Sequence, residues 1–235
     1  MARLPRLVIP HQLHHIVQHS VDRQAIFNET EDYQLFLDWL REAARKFKVH
    51  LYAYVLMPDH VHLLAAPDDA EGLARMMQWV GRYYVPYFNR KYGRAGTLWQ
   101  GRFKANVVDA DACFFNCCRY MEQHPVRSAL VPDVADYRWS SYAHHVGIKT
   151  NPLVTDHPLY WALGNTPFDR EIAYRNLAQQ ALTTVEAADI TAAVQKGWVL
   201  GTEPFKVALE KQWNRQVRPA KRGRPVKLAP QENGK

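Results

Sequence analysis

Residues 49–66, VHLYAYVLM-PD-HVHLLAA, hold two β-rich runs, 49–57 and 60–66, separated by Pro58-Asp59. Proline presets the backbone for a turn and aspartate completes it, so the stretch predicts two antiparallel neighbours. Upstream, residues 12–19 are apolar at alternate positions (Leu13, then His15 and Val17 in the same phase) and predict a first strand. Between these strands, Asn28 followed three residues later by Glu31 predicts a capping box. It opens a helix whose Tyr33, Phe36, Leu37, Leu40 and Phe47 share one face. Downstream, Asp68-Asp69 predict the start of a second helix through Leu73, Met76, Met77 and Val80 toward Phe88. Gly93 and Gly96 break the chain, a short strand is expected over 103–108, and a third helix over 109–123 ahead of Pro125.

The order β-α-β-β-α-β plus a further helix is that of an α+β, ferredoxin-like split βαβ sandwich with an antiparallel sheet. Helices are expected to cover one sheet face and leave the other available. Residues 1–145 are read as this domain, 146–215 as an appended helical extension, and 216–235, with three prolines and little to bury, as a disordered basic tail.

The net charge of +7 is unevenly placed. Residues 1–210 are balanced, whereas 211–235 hold eight basic side chains and one acidic. A second asymmetry lies between Glu71 and Asp109, where Arg75, Arg82, Arg90, Lys91, Arg94, Arg102 and Lys104 occur without an acid. Aromatic residues (Trp79, Tyr83, Tyr84, Tyr87, Phe88, Tyr92, Trp99, Phe103) interleave with these cations, and about half are expected in the core. Cations that track phosphates beside faces that stack bases suit single-stranded nucleic acid. No apolar run reaches the ~20 residues of a membrane helix. Pro5 and Pro10 interrupt the N-terminal apolar stretch, a poor signal peptide. Cys113, Cys117 and Cys118 are odd in number and clustered, against a disulfide framework. The chain reads as soluble and intracellular.

His60-Val61-His62 puts two imidazoles on one strand face, ~6.6 Å apart at ~3.3 Å per residue. Such a pair can converge on a divalent ion; equally, it can be a half-exposed strand with two surface histidines. Tyr120 and His124 are four apart near the end of the third helix, though Pro125 biases His124 away from helical geometry. A nucleophile beside a metal ligand and a core aromatic on an amphipathic helix both fit that spacing. His11, His14 and His15 read as the entry to a strand and are assigned no metal.

Beyond these local readings, Tyr54-Val-Leu-Met-Pro-Asp-His60-Val-His62-Leu-Leu64 resembles the His-hydrophobic-His strand of the single-tyrosine transposases. Gly96-Thr-Leu-Trp-Gln-Gly-Arg-Phe-Lys104, Arg119-Tyr120, His124-Pro-Val-Arg127 and Tyr137-Arg-Trp-Ser-Ser-Tyr142 resemble the REP-associated tyrosine transposases in particular. His15-Ile-Val17, Asp22-Arg-Gln24 and Ile26-Phe27 extend the likeness upstream, over about residues 10–145 in all. The resemblance implies a bacterial, cytoplasmic and nucleoid-associated single-stranded DNA endonuclease and strand transferase acting at hairpin-forming repeats. Residues 1–145 would be its catalytic domain. Tyr120 would be the nucleophile that forms a 5′-phosphotyrosine link, and His60, His62 and His124 the ligands of Mg²⁺ or Mn²⁺.

The cations Arg75 to Lys104 would bind the strand, and Arg222 and Arg224, in an AT-hook-like Arg-Gly-Arg-Pro, would add an anchor or merely solubilise the tail. A homodimer is possible, because the wider superfamily includes dimers. Two departures stand out: His124 replaces the family's Asn or Gln, and His19-Ser20-Val21-Asp22 lacks its Gly-Asn. A DNA-binding relative without catalysis, and a metallohydrolase without a covalent step, are the rival readings.

Overall fold

The computed structural model describes residues 6–219. Strands β1 (Leu13–His19), β2 (Val49–Met57), β3 (His60–Pro67) and β4 (Lys104–Val108) form one antiparallel sheet in the order β2-β3-β1-β4. Helices α1 (Thr30–Lys46) and α2 (Gly72–Lys91) connect them as the split βαβ order requires. Side chains alternate across the sheet. Ile16, Leu56, Val61, Leu63 and Ala65 turn to one face, where Phe36 and Leu40 of α1 and Met76, Val80 and Tyr84 of α2 pack on them.

The register places His15, Val17, His19, His60, His62, Leu64, Val55 and Met57 together on the opposite face. That face is not open, contrary to the expectation from the sequence. Leu13, Val55, Leu64 and Val108 form a second core with Phe114, Cys117 and Met121 of α3 (Ala110–Glu122), Tyr174 of α7 (Pro167–Gln179) and Ile190 of α8 (Thr184–Lys196). The strands are apolar in both phases, and a two-sided apolar strand must be covered on both sides.

Short helices α4 (His124–Arg127), α5 (Tyr142–His145) and α6 (Pro158–Trp161) link these layers. Helix α9 (Glu203–Trp213) closes the described chain. Leu200 bridges the outer edge of β4, its N–H donating to Val107 O at 2.9 Å, and so covers an otherwise unpaired edge.

Three further local expectations change. The α1 capping box is Glu29 with Asp32, one residue beyond the expected Asn28 and Glu31, because the Asp32 carboxylate accepts both the Asn28 and Glu29 N–H groups at 2.9 and 3.0 Å. Helix α2 starts at Gly72, since Asp69 instead accepts the Glu71 N–H in the preceding turn. Residues 216–219 are not tail: Val217 is buried, its carbonyl accepts the Val199 N–H, and Arg218 pairs with Glu203 and Glu210. The remainder of the expected tail, with Arg222 and Arg224, lies outside the described residues.

One buried histidine sets an acid limit on this fold. His14 donates Nδ1–H to the Gln12 carbonyl at 2.7 Å and accepts the Ile9 N–H at Nε2, 3.2 Å, an arrangement only the neutral ring can make. Burial lowers its pKa from 6.5 to about 4, outweighing the Gln12 bond that favours the charged form. Between those values the unfolded chain binds more protons, so stability is full above pH 6.5 and falls as pH drops toward 4. His14 contributes on the order of 3 kcal/mol to that loss. Melting temperatures measured from pH 7.5 to 4.5 are expected to fall in this window and to fall less steeply in His14→Gln; an identical slope in the variant would refute the assignment.

Candidate active site

The site lies on the second sheet face, between the ends of β1 and β3 and the end of α3. His60 and His62 stand in one phase of β3, as expected, with ring centroids 5.1 Å apart. The α3–α4 junction carries the other two groups. Helix α3 stops at Glu122, Gln123 caps it, and the chain re-enters a single turn at His124 with Pro125 as its second residue. Pro125 interrupts the helix without separating the pair: the Tyr120 and His124 rings lie 6.1 Å apart. His124 reaches 4.9 Å from His60 and 5.3 Å from His62, and Tyr120 lies 5.8 Å from His62. One ligand nitrogen from each of His60, His62 and His124 falls within 4.8 Å of the others. The structure therefore brings Tyr120 and the three expected histidines together.

Neighbours fix how these rings present themselves. Asp59 Oδ1 accepts from His60 Nδ1 at 2.5 Å, leaving His60 Nε2 with its lone pair. That bond, joined by Arg23, holds the Asp59 carboxyl well below its ordinary range against the cost of burial. His62 Nδ1 meets His15 Nε2 at 2.8 Å, again leaving Nε2 for a ligand. Burial first, then the neighbouring imidazoles, lowers His62 well below an ordinary histidine. Burial and the nearby His60 and Arg127 lower His124 to about 3. These two rings are thus neutral at physiological pH, as a ligand must be. The buried Nδ1 of His124 has no hydrogen-bond partner among the described residues. The donor set fits a divalent cation, and its three imidazoles suit transition metals better than Mg²⁺.

Tyr120 is only 7% exposed. Its hydroxyl lies 3.0 Å from Thr191 Oγ1 on α8, and Thr191 already donates to the Ala187 carbonyl at 2.7 Å. With its own proton so committed, Thr191 accepts, and the Tyr120 O–H donates. Arg127 bonds the Tyr120 carbonyl at 2.5 Å and holds its guanidinium 4.7 Å from the phenol ring centre.

Four contributors escaped the sequence reading: His15, Asp59, Arg127 and Thr191. Asp59 adjoins His60 in the chain, and a carboxylate beside a candidate ligand is a usable signal. His15 shares the phase of Leu13 and Val17, so it reads as a core position of β1. Nothing local marks Thr191, 71 residues from its partner.

The expected strand-binding cations do not form one surface. Helix α2 lies on the far side of the sheet, so Arg75, Arg82 and Arg90 face solvent away from the histidines. Arg75 is paired with Glu71, and Lys91 with Glu29, Glu31 and Asp32. Arg94 donates to Gln24 at 2.8 Å. Lys104 stands on the histidine face and reaches Gln195 of α8, and Arg102 lines the cavity beside it.

A ferredoxin-like sheet whose His-hydrophobic-His strand faces a helix-borne tyrosine defines a class. Residues 10–124 match the model of the family described as "Transposase IS200 like". The resemblance to the REP-associated branch also holds. A candidate REP-associated tyrosine transposase of Haemophilus influenzae is 23% identical over 122 residues, 48% of this chain and 69% of that protein. The fold is similar to that of a REP-associated tyrosine transposase solved with a REP hairpin bound to it. There the TM-score is 0.51 and the identity 20%, over 67% of this chain and 96% of that one. Among the described residues no helix is long and apolar enough to cross a membrane.

Proposed function

We propose that the protein is a metal-dependent single-stranded DNA endonuclease and strand transferase acting at hairpin-forming repeats in a bacterial chromosome. The observation that carries this reading is the phenol of Tyr120 placed against three imidazoles whose ligand nitrogens converge within 4.8 Å. A divalent cation held by His60, His62 and His124 would withdraw charge from the phosphoryl oxygens and stabilise the leaving oxygen.

The chain's own residues account for the rest. The Tyr120 oxygen attacks phosphorus, the bond from phosphorus to the 3′-oxygen breaks, and a 5′-phosphotyrosine and a free 3′-hydroxyl result. The phenolic proton, released from its bond to Thr191, passes to water, and the leaving 3′-oxygen takes a proton from water, so the step balances. Arg127 positions the phenol through the Tyr120 carbonyl and ring, while Asp59 and His15 hold His60 and His62 in the ligand-ready tautomer. Because the ester keeps the energy of the original phosphodiester, a 3′-hydroxyl can attack it and rejoin strands. All four principal side chains meet within one chain.

The test is to incubate the protein with 5′-labelled and 3′-labelled hairpin DNA and divalent cation, denature, and look for label on the protein. Label retained only from the 3′ side of the break supports the reading. No adduct with any hairpin substrate would remove it in favour of a DNA-binding protein without catalysis. Cleavage without an adduct would indicate a metallohydrolase.

The donor set yields a second expectation. Mn²⁺ is expected to support cleavage at least ~10-fold better than Mg²⁺, and His124→Asn to narrow that preference by exchanging a soft donor for an oxygen. Cleavage rates in each ion, for both proteins, decide it; Mg²⁺ equal to Mn²⁺ in the wild type would sink it.

A further inference from the structure

Among the described residues, one group of cations gathers in a concavity that no carboxylate lines. Arg75, Lys91, Lys206 and Arg218 all have carboxylate partners. A cavity of about 230 Å³ beside β4 is lined by Arg6, Arg102, Lys104, Lys196, Trp198 and Arg215, and by no acidic residue. Among the described residues, no carboxylate forms an ion pair with Arg102, Lys104, Lys196 or Arg215. Like charges gathered in a concavity repel one another until an anion joins them, and the concave wall strengthens their common field.

The cavity adjoins the histidine site. Lys104 stands on β4 opposite Val17, and Val17 stands opposite His62 on β3, all on one face. Two strand spacings, ~10 Å, separate Lys104 from His62. Gln195 bonds Lys104 Nζ and approaches His19 Nε2 at 3.3 Å, and the His19 ring lies 5.0 Å from that of His60. A row of polar groups thus joins the cavity to the proposed ligands, and Trp198 offers an aromatic face at its wall.

We infer that this cavity is a backbone-phosphate site for single-stranded DNA, holding a phosphate of the flanking strand ~10 Å from the histidine site. The inference rests on the proposed action on single-stranded DNA, and it deepens that proposal by naming where the flanking strand lies. Its walls come from two parts of the chain: Arg102 and Lys104 precede and begin β4, while Lys196, Trp198 and Arg215 belong to the C-terminal extension. The extension is thereby a DNA-contacting element as well as a cover for the sheet.

The test is equilibrium binding of a fluorescent hairpin with a single-stranded extension, measured against salt without divalent cation, so that cleavage plays no part. The wild type is compared with R102Q/K196Q/R215Q and with R75Q/R82Q/R90Q on α2. Three lost phosphate contacts at ~0.7 each are expected to reduce the salt slope by about 2 and weaken binding roughly 10- to 100-fold near 0.1 M salt. The α2 triple is expected to stay within about twofold of the wild type.

A wild-type slope in the cavity triple, or a larger loss in the α2 triple, overturns the assignment. Tighter, equally cavity-dependent binding of duplex DNA or of RNA of the same sequence overturns the choice of ligand. Should the triple fail to fold, K196E, at the exposed end of α8, must reduce the slope by about 1 or the inference falls. A wild type that binds here but forms no covalent adduct leaves the cavity standing and removes only the proposed chemistry.

Discussion

Replacing Tyr120 with phenylalanine abolishes the covalent protein–DNA adduct and lowers strand cleavage by at least ~10³-fold, while the protein stays folded. The change removes one oxygen. The ring keeps its contacts with His15, His62 and His124 and its place beneath Arg127. The only hydrogen bond lost is that to Thr191, a neutral pair worth about 1 kcal/mol. Thr191 still donates its hydroxyl proton to the Ala187 carbonyl, so no proton is stranded. A loss of this size with an unchanged melting temperature isolates nucleophilic chemistry from folding. Denaturing gels with labelled hairpin DNA, beside a thermal melt, make the measurement. An adduct formed equally by the variant would place the nucleophile elsewhere.

Replacing Glu122 with alanine is expected to destabilise the protein by about 3–5 kcal/mol, without touching any group proposed to meet DNA. Glu122 is 1% exposed. Its Oε1 accepts from Ser141 Oγ at 2.6 Å and from His145 Nδ1 at 2.7 Å, and its Oε2 from the Tyr174 hydroxyl at 2.7 Å. Alanine takes the acceptor from His145 Nδ1 and the Tyr174 hydroxyl, while Ser141 keeps the Tyr54 carbonyl at 3.3 Å, and each buried donor left unpaired costs about 1–3 kcal/mol, not strictly additively. For a chain of this size the melting temperature should fall by roughly 6–20 °C. Glutamine, which keeps an acceptor oxygen, should recover part of that loss. Thermal melts of both variants check it, and a fall of less than about 3 °C in the alanine variant would show that the network is dispensable.

The strand order was readable because the sheet obeys period-two patterning and Pro58-Asp59 marks its central turn. The spacing of His60, His62, Tyr120 and His124 left core and surface readings open, and the family resemblance singled these positions out; the structure brings the four together. The covered second face was harder to anticipate. Its signal is present, since residues 60–66 are apolar in both phases, but the helices that supply the cover begin some fifty residues later and carry weak apolar stripes. The cations of α2 misled for a related reason. Arg75, Arg82 and Arg90 are close in sequence to Arg102 and Lys104, yet the α2-to-β4 connection carries them across the sheet. His15 was hidden by its parity with Leu13 and Val17, and Thr191 by its distance in sequence. Both act through contacts that no local pattern encodes.

The bonds from Glu122 and Tyr120 to Tyr174 and Thr191 bear on how such a chain can be divided. They tether the helix that carries the nucleophile, at two points within a single turn, to segments well past the region shared with the family. That region is therefore not an exchangeable cassette in this protein. Cut free at residue 145, it would keep its motifs but lose partners of the helix that presents Tyr120. Catalytic competence and the integrity of the extension would then be expected to melt as one cooperative event.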